Sequence, residues 1–173
     1  MSVIAIIGAG ALGGALAHKL ASRDRTREIR LVDPEEAVAK GKALDILQSG
    51  PVEGFSASVT AYRSIHAAVG ADAILIADSV SGAEHAGDAG LALIRQLHAA
   101  GASSPIVFAG AAQRELMMRA VRELRLPSAR LVGSDPAALA SALREGGPWP
   151  IPLDEQLAAT RISFEVERQL RPL

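Results

Sequence analysis

Residues 3–13 read VIAIIGAGALG, and this stretch decides the fold prediction. Its first five residues form an uninterrupted apolar run that is too short for a helix, which is typical of a strand buried on both faces of a parallel sheet. The next six match the pattern G-x-G-x-x-G, with glycines at Gly8, Gly10 and Gly13. Because Ala and Leu then recur with helical spacing over residues 11–22, the glycines are predicted to form a tight turn from a strand into a helix.

Such a strand–turn–helix unit is a candidate pyrophosphate site. Gly8 permits the turn, Gly10 lets a phosphate approach the backbone, and Gly13 allows the helix to pack closely on the sheet. The helix start, where Ala11 and Leu12 lie, supplies free N–H groups and the positive end of the helix dipole. A Gly-rich turn can also be purely structural and bind nothing, and that alternative stays open.

An acidic residue ends the second predicted strand, residues 28–33. Asp33 follows Gly13 by about 20 residues, which is where the dinucleotide-binding pattern places an acid on the ribose hydroxyls. Glu35 and Glu36 follow after Pro34. Since this acidic segment would repel a 2′-phosphate, the predicted cofactor is NAD rather than NADP.

Strands alternate with helices along the rest of the chain. This alternation predicts an α/β fold, a Rossmann-type doubly wound parallel sheet of about six strands with helices on both faces. Ligands of such sheets bind at the carboxyl ends of the strands. The remaining predicted strands are residues 58–62, 71–77, 106–109 and 130–133, the further helices are residues 34–48, 114–125 and 135–143 and one that carries Leu91, Ile94 and Leu97, and residues 79–90 are predicted to be a loop.

The predicted domain covers residues 1–145. Residues 146–152 contain three prolines and are predicted to connect this domain to a tail, residues 153–173. Apolar residues four apart favour a helix in the tail, which would pack on the domain or on a partner subunit. Alternating apolar residues in the same segment leave a strand open.

Composition limits the function classes. The chain has 173 residues, no cysteine and a net charge of −1, with 18 basic and 19 acidic residues. We therefore expect one domain without disulfides or thiolate metal sites, and no electrostatic basis for nucleic-acid binding. We expect neither a secretory signal nor a membrane span, because no basic segment precedes the first strand and no apolar run reaches about 18 residues. The expected location is the cytoplasm.

Four segments carry a resemblance to a known family: IIGAGALGGALAHKLA, IRLVDPEEAVAKGKALDILQSGPV, GADAILIADS and ARLVGSDPAALASALR. Together they make residues 3 to about 144 similar to the NAD-binding half of the L-lactate/malate dehydrogenases. GKALDILQ is the most specific part, because family members carry a closely similar helix after the second strand. The resemblance implies the same doubly wound sheet, and a homodimer with contacts through the helix near residues 41–47.

Several positions depart from the family pattern, and all concern the substrate. Gly82 and Asp88 stand where the family has arginines that bind and polarise the substrate. Gly110 stands at the position of the family's Asn after the fifth strand, and Leu139 and Ala142 replace the Asp that orients the catalytic histidine and the Arg that binds the substrate carboxylate. Too few residues follow to form the family's substrate domain. These departures imply loss of the standard 2-hydroxy-acid chemistry.

Residues after the fourth predicted strand complete the candidate site. Ala77, Asp78 and Ser79 are predicted to line the cofactor, where the carboxylate of Asp78 would be an obstacle beside phosphates. His85 lies in the following Gly-rich loop between acidic neighbours, so it could transfer protons near a nicotinamide, although a solvated loop histidine is the alternative. Since no histidine pair has a metal-ligand spacing, no metal site is predicted.

Three functions remain open from the sequence. The first is an NAD-binding protein derived from a dehydrogenase without 2-hydroxy-acid dehydrogenase activity. The second is an active NAD-dependent oxidoreductase that takes another alcohol or carbonyl substrate and uses His85 or residues of a partner subunit. The third is a dimeric structural or regulatory module that needs no cofactor.

Overall fold

The computed structural model describes residues 2–24, 26–110 and 113–133, in which strands and helices alternate. The strands are β1 (Ser2–Ile7), β2 (Thr26–Val32), β3 (Ser58–Tyr62), β4 (Ala73–Ile76), β5 (Ile106–Phe108) and β6 (Leu131–Gly133). The helices among these residues are α1 (Ala11–Ser22), α2 (Glu36–Glu53), α3 (Gly87–Ala99) and α4 (Gln113–Leu124).

The six strands form one parallel sheet in the order β3-β2-β1-β4-β5-β6. This order is that of a doubly wound nucleotide-binding sheet, so the predicted Rossmann-type fold is confirmed. The strand order reverses between β1 and β4, which are hydrogen-bonded neighbours. The ends of these two strands therefore border the crevice in which such sheets bind ligands.

Side chains of different size pack the helices onto the two faces of the sheet. On one face, α1 and α2 bury mainly alanines, such as Ala17, Ala21 and Ala43, against the strands. On the other face, larger residues such as Ile94 of α3 and Leu116 of α4 pack against the sheet. The alanine-rich composition therefore serves close approach of helices to the sheet on the α1/α2 side.

Two helix boundaries differ from the sequence prediction. The prediction ended α2 near residue 48 because of Gly50-Pro51, yet the helix continues to Glu53 with Pro51 inside it. A proline in a helix has no N–H to donate and its ring crowds the carbonyl four residues back and the residue before it. Pro51 lies in the last turn of α2, and Gly50, which has no Cβ, relieves part of this crowding. The predicted loop 79–90 is also shorter, because α3 begins at Gly87.

Several predicted segments lie outside the described residues. They are the helix 135–143, the connection 146–152 and the tail 153–173, and with them the domain boundary at residue 145. Their placement stays a prediction. In the part of the chain that the structure describes, no helix combines the length and apolar character that a membrane span requires.

Candidate functional site

The glycine turn between β1 and α1 lies at the switch point, as predicted. Gly8 has φ +102°, a left-handed conformation that favours glycine, and its N–H donates to Val32 O at 2.8 Å. A Cβ on Gly8 would overlap the backbone oxygen of Asp78. Gly8 is therefore required both for the turn and for the close approach of the chain after β4.

Gly10 and Gly13 lack side chains for a different reason, which is space. Gly10 is the N-cap of α1, and a Cβ there would overlap the carboxylate of Asp78 and the carbonyl oxygen of Ser79. A Cβ on Gly13 would overlap the carbonyl oxygen of Gly8. The three glycines thus form a cradle of bare backbone at the start of a helix, whose first turn contains Ala11 and Leu12.

Asp33 follows β2 and lies under the glycine turn, with 1% of its surface exposed. Its carboxylate accepts three backbone hydrogen bonds, from the N–H groups of Ala9, Glu35 and Val80, each 2.9 Å long. A carboxylate has about four acceptor positions, so most of its capacity is used within the chain. The predicted ribose acceptor is placed next to the turn, but in this conformation its oxygens hold backbone amides together.

Asp78 directs its carboxylate at the N-terminus of α1. Its Oδ1 accepts the N–H of Gly13 at 2.9 Å, and its backbone oxygen accepts the N–H of Gly10 at 2.9 Å. Burial opposes the charge, but hydrogen bonds from backbone amides, including those of Gly13, Leu12 and Ala11, outweigh it and hold the pKa of Asp78 below its usual range. A negative side chain therefore caps the helix at the predicted pyrophosphate position.

The segment after Asp78 folds into a short turn. Ser79 N–H donates to Ala83 O at 3.0 Å, and Gly82 N–H donates to Ser79 O at 2.9 Å. The hydroxyl of Ser79 donates to Ala83 O and lies within hydrogen-bond distance of the Ser81 hydroxyl, so it points to this turn rather than to the glycine cradle. All three predicted residues that end β4 adjoin the cradle: Ala77 and Asp78 lie next to Gly8, and Asp78 and the carbonyl oxygen of Ser79 lie next to Gly10.

Lys42 belongs to this site and was not among the predicted site residues. Its Nζ, from α2, donates to Ala9 O at 2.6 Å and to Gly10 O at 2.8 Å. These charge-assisted hydrogen bonds fasten the glycine turn to the second helix. The signal was present in the sequence, since Lys42 lies in the GKALDILQ segment, but nothing local indicated which backbone atoms it would reach.

His85 lines a narrow cleft at the carboxyl ends of β4 and β5. Its Nε2 is buried and has no hydrogen-bond partner among the residues that the structure describes. Burial lowers the pKa of His85, and the charges of Asp33 and Asp78 oppose this shift in part. The other lining residues are Ile76, Ala77, Glu84, Phe108, Gly110, Gln113 and Leu116.

The positions that depart from the family pattern carry no cation where the structure describes them. Gly82 lies in the turn after β4 with φ +78°. Asp88, in the first turn of α3, pairs with Arg119 at 2.7 Å, and Gly110 borders the cleft beside Glu84. The positions of Leu139 and Ala142 lie outside the described residues.

The remaining histidines lie away from this cleft. His18 pairs with Glu53 on the outer surface of α1 and α2, and His66 and His98 are exposed. Within the described ranges, no group of three or more histidine and acidic side chains could hold a metal ion.

Comparison with known proteins gives a family match to the first half of the chain. Residues 2–96 match the model of the lactate/malate dehydrogenase NAD-binding domain. The malate dehydrogenase of Roseiflexus sp. (strain RS-1) is 44% identical over 73 residues, which are 42% of this chain and 23% of that protein. The chain therefore spans less than a quarter of this curated relative.

Solved structures agree with the fold. The malate dehydrogenase of Salinibacter ruber superposes with a TM-score of 0.67 at 20% identity, over 84% of this chain and 50% of that one. A Cryptosporidium parvum lactate dehydrogenase, complexed with lactic acid and NAD, gives 0.66 at 19% identity, over 85% and 51%. The chain corresponds to about half of each of these two structures.

Proposed function

Because the chain belongs to the lactate/malate dehydrogenase family, through its NAD-binding domain, we propose that it binds NAD(H) at the β1/β4 crevice without 2-hydroxy-acid dehydrogenase activity. Its cofactor is NAD. When bound, NAD supplies a nicotinamide that accepts or donates a hydride. The residues proposed to form this cofactor-binding site are Gly8, Gly10, Ala11, Leu12, Gly13, Asp33, Ala77, Asp78 and Ser79.

The glycine cradle is the observation that supports dinucleotide binding. Side chains at Gly8, Gly10 and Gly13 would each collide with backbone or with Asp78, so the bare backbone and the N-terminal amides of α1 lie together in one place. This arrangement fits the pyrophosphate of a dinucleotide. Asp33 lies beside the cradle at the distance along the chain typical of a ribose acceptor.

The missing cations support the loss of 2-hydroxy-acid chemistry. A substrate carboxylate and the developing charge on a carbonyl oxygen both need cationic or donor groups. Gly82 and Gly110 offer no side chain for this purpose, and Asp88 has the opposite charge and is paired with Arg119. Neither pyruvate nor oxaloacetate would be held at this edge of the sheet.

Calorimetric titration with NAD and with NADP tests the cofactor proposal. We expect NAD to bind and NADP to bind more weakly, because Asp33, Glu35 and Glu36 repel a 2′-phosphate. Gly10→Ala, which fills the cradle, should weaken NAD binding, and Gly14→Ala, one turn further along α1, is the matched control. Failure of the unmodified chain to bind NAD would overturn the proposal. An NADH oxidation assay with pyruvate and oxaloacetate should show no turnover.

A second candidate, an oxidoreductase acting on another carbonyl or alcohol, is favoured by His85. His85 lines the cleft at the carboxyl end of β4, the strand that pairs with β1, and its buried Nε2 has no hydrogen-bond partner among the described residues. NADH oxidation across a panel of small aldehydes and ketones tests it. Turnover that is lost in His85→Gln but retained in exposed His98→Gln would support this candidate. Turnover in both variants would exclude His85 from the chemistry.

A homodimer through α2 is proposed as the assembly, in the cytoplasm. The outward face of this helix carries Leu44, with 54% of its surface exposed, and Val52, with 88% exposed. A Cβ on Gly41 would meet no atom of the described residues within 4 Å. Light scattering on a sizing column should give a dimer that Leu44→Asp dissociates. Val121→Asp, at an exposed apolar residue of α4, is the control. A dimer that is not stabilised by NAD would favour the cofactor-free module instead.

A further inference from the structure

The space that Gly10 leaves free is already filled by this chain. The carboxylate of Asp78 lies against the Cα of Gly10, at the point where a Cβ would overlap its Cγ and Oδ2. In the dinucleotide-binding pattern, the second glycine lacks a side chain so that the pyrophosphate can approach the backbone. An internal anion thus occupies the space that this glycine provides for an external one.

The same carboxylate also uses the helix donors. Its Oδ1 accepts the N–H of Gly13 at 2.9 Å. Amides at a helix N-terminus, together with the helix dipole, are the groups that hold a bound phosphate. A carboxylate and a phosphate cannot both accept from the same N–H in this geometry, and their charges repel each other.

The segment that carries Asp78 also covers the ribose acceptor. Two residues after Asp78, the N–H of Val80 donates to Asp33 Oδ2 at 2.9 Å. The same oxygen accepts the N–H of Ala9 from the glycine turn. One short segment therefore engages both the pyrophosphate position and the carboxylate that the ribose would need.

We propose that Asp78 is an autoinhibitory anion, which occupies the pyrophosphate position in the free protein and must leave it before NAD binds. This inference rests on the proposed function, because it concerns the same site. Displacement of Asp78 costs part of the binding free energy of the dinucleotide, so the unmodified chain binds NAD weakly. A variant without this carboxylate starts with the helix amides free.

Calorimetry with two ligands, NAD and inorganic pyrophosphate, at constant ionic strength tests the proposal. Asp78→Ala should bind NAD at least about tenfold more tightly than the unmodified chain, equivalent to about 1.4 kcal/mol. Asp78→Asn retains the size and removes the charge, and it should also bind NAD more tightly. Asp45→Asn removes an exposed carboxylate from α2 and should leave the affinity unchanged. Hydrogen exchange at the Gly13 amide should be faster in ligand-free Asp78→Ala.

The outcomes separate this inference from the proposed function. If the unmodified chain binds NAD and neither Asp78 variant binds it more tightly, Asp78 is only a helix cap and the inference is overturned. If pyrophosphate binds Asp78→Ala more tightly than the unmodified chain while NAD binds neither, the inference stands and the proposed function fails. If neither ligand binds any variant that circular dichroism shows to be folded, the inference is overturned as well.

Discussion

Two neighbouring glycines near the start of α1 face different surroundings, and this difference can be measured. A Cβ on Gly13 would overlap the carbonyl oxygen of Gly8, whereas a Cβ on Gly14 would lie 3.4 Å from Cδ of Lys42, an ordinary contact. We expect Gly13→Ala to lower the free energy of unfolding by about 1–3 kcal/mol through overpacking. Gly14→Ala should raise it by about 0.5–1 kcal/mol, because alanine favours the helix.

Urea denaturation of the two variants beside the unmodified chain measures both effects. The two variants lie at neighbouring positions of the same helix and carry the same change from glycine to alanine. If both substitutions stabilised the chain, the turn from β1 into α1 would have room for a side chain at Gly13, and the cradle would not be tightly formed.

His85 should make stability depend on pH near neutrality. Because burial lowers its pKa in the folded chain, the unfolded chain takes up the proton first as the pH falls. The free energy of unfolding is therefore highest, as far as His85 is concerned, above the ordinary histidine pKa of about 6.5. It decreases as the pH falls through that value towards the lower pKa of the folded chain, by at most about 1.4 kcal/mol for each pH unit.

Chemical denaturation at pH 7.5 and pH 5.5 isolates this contribution. His85→Gln should show a smaller loss of stability between the two pH values than the unmodified chain. Exposed His98→Gln should behave like the unmodified chain. An unchanged pH dependence in His85→Gln would show that burial does not lower the pKa of His85 in the folded protein.

Among the helices, α2 departs most from its sequence pattern. Two glycines lie inside it, and their surroundings predict that substitution by alanine has opposite effects on stability. Gly41 faces open space, so Gly41→Ala should stabilise a monomer by about 0.5–1 kcal/mol. Gly50 precedes Pro51, and a Cβ there would lie 3.2 Å from Phe55 O, so Gly50→Ala should destabilise the chain.

Thermal denaturation and sizing of the two variants check this expectation. If Gly41→Ala weakens a dimer instead of stabilising the chain, Gly41 lies at a close contact between two copies of α2. Gly50→Ala is the control, because a side chain at this position should strain the end of α2.

The whole molecule should respond to NAD as a unit, because the cradle joins β1, α1, α2 and the segment after β4. A ligand present at 100 times its dissociation constant stabilises the folded state by about 2.7 kcal/mol. For a domain of this size, that corresponds to a rise in melting temperature of roughly 5–10 °C. Differential scanning fluorimetry with NAD measures it, and an equal concentration of NADP should give a smaller rise. No shift with saturating NAD would favour the cofactor-free module.

Much of the architecture could be predicted from residues that are neighbours in the chain. The apolar run before Gly8 and the helical spacing after it predicted β1 and α1, since strand and helix periodicities are local properties. Alternation of such segments predicted the parallel sheet. The end of α2 could not be predicted in this way, because a proline usually ends a helix, whereas here Pro51 lies inside the last turn and Gly50 relieves part of its crowding.

The candidate site also has a part that the local sequence predicts and a part that depends on tertiary contacts. Its glycines and Asp33 follow a spacing that the sequence shows directly, and the sequence also indicated that a carboxylate at Asp78 would be awkward beside phosphates. The hydrogen-bond partners depended on contacts between residues far apart in the chain: Asp33 with Ala9 across 24 residues, and Asp78 with Gly13 across 65. Local pattern cannot specify such partners, because they are set by how the ends of β1, β2 and β4 come together in the sheet. In the folded sheet, Asp33 and Asp78, which the sequence predicted to bind the cofactor, therefore accept hydrogen bonds from the chain's own amides.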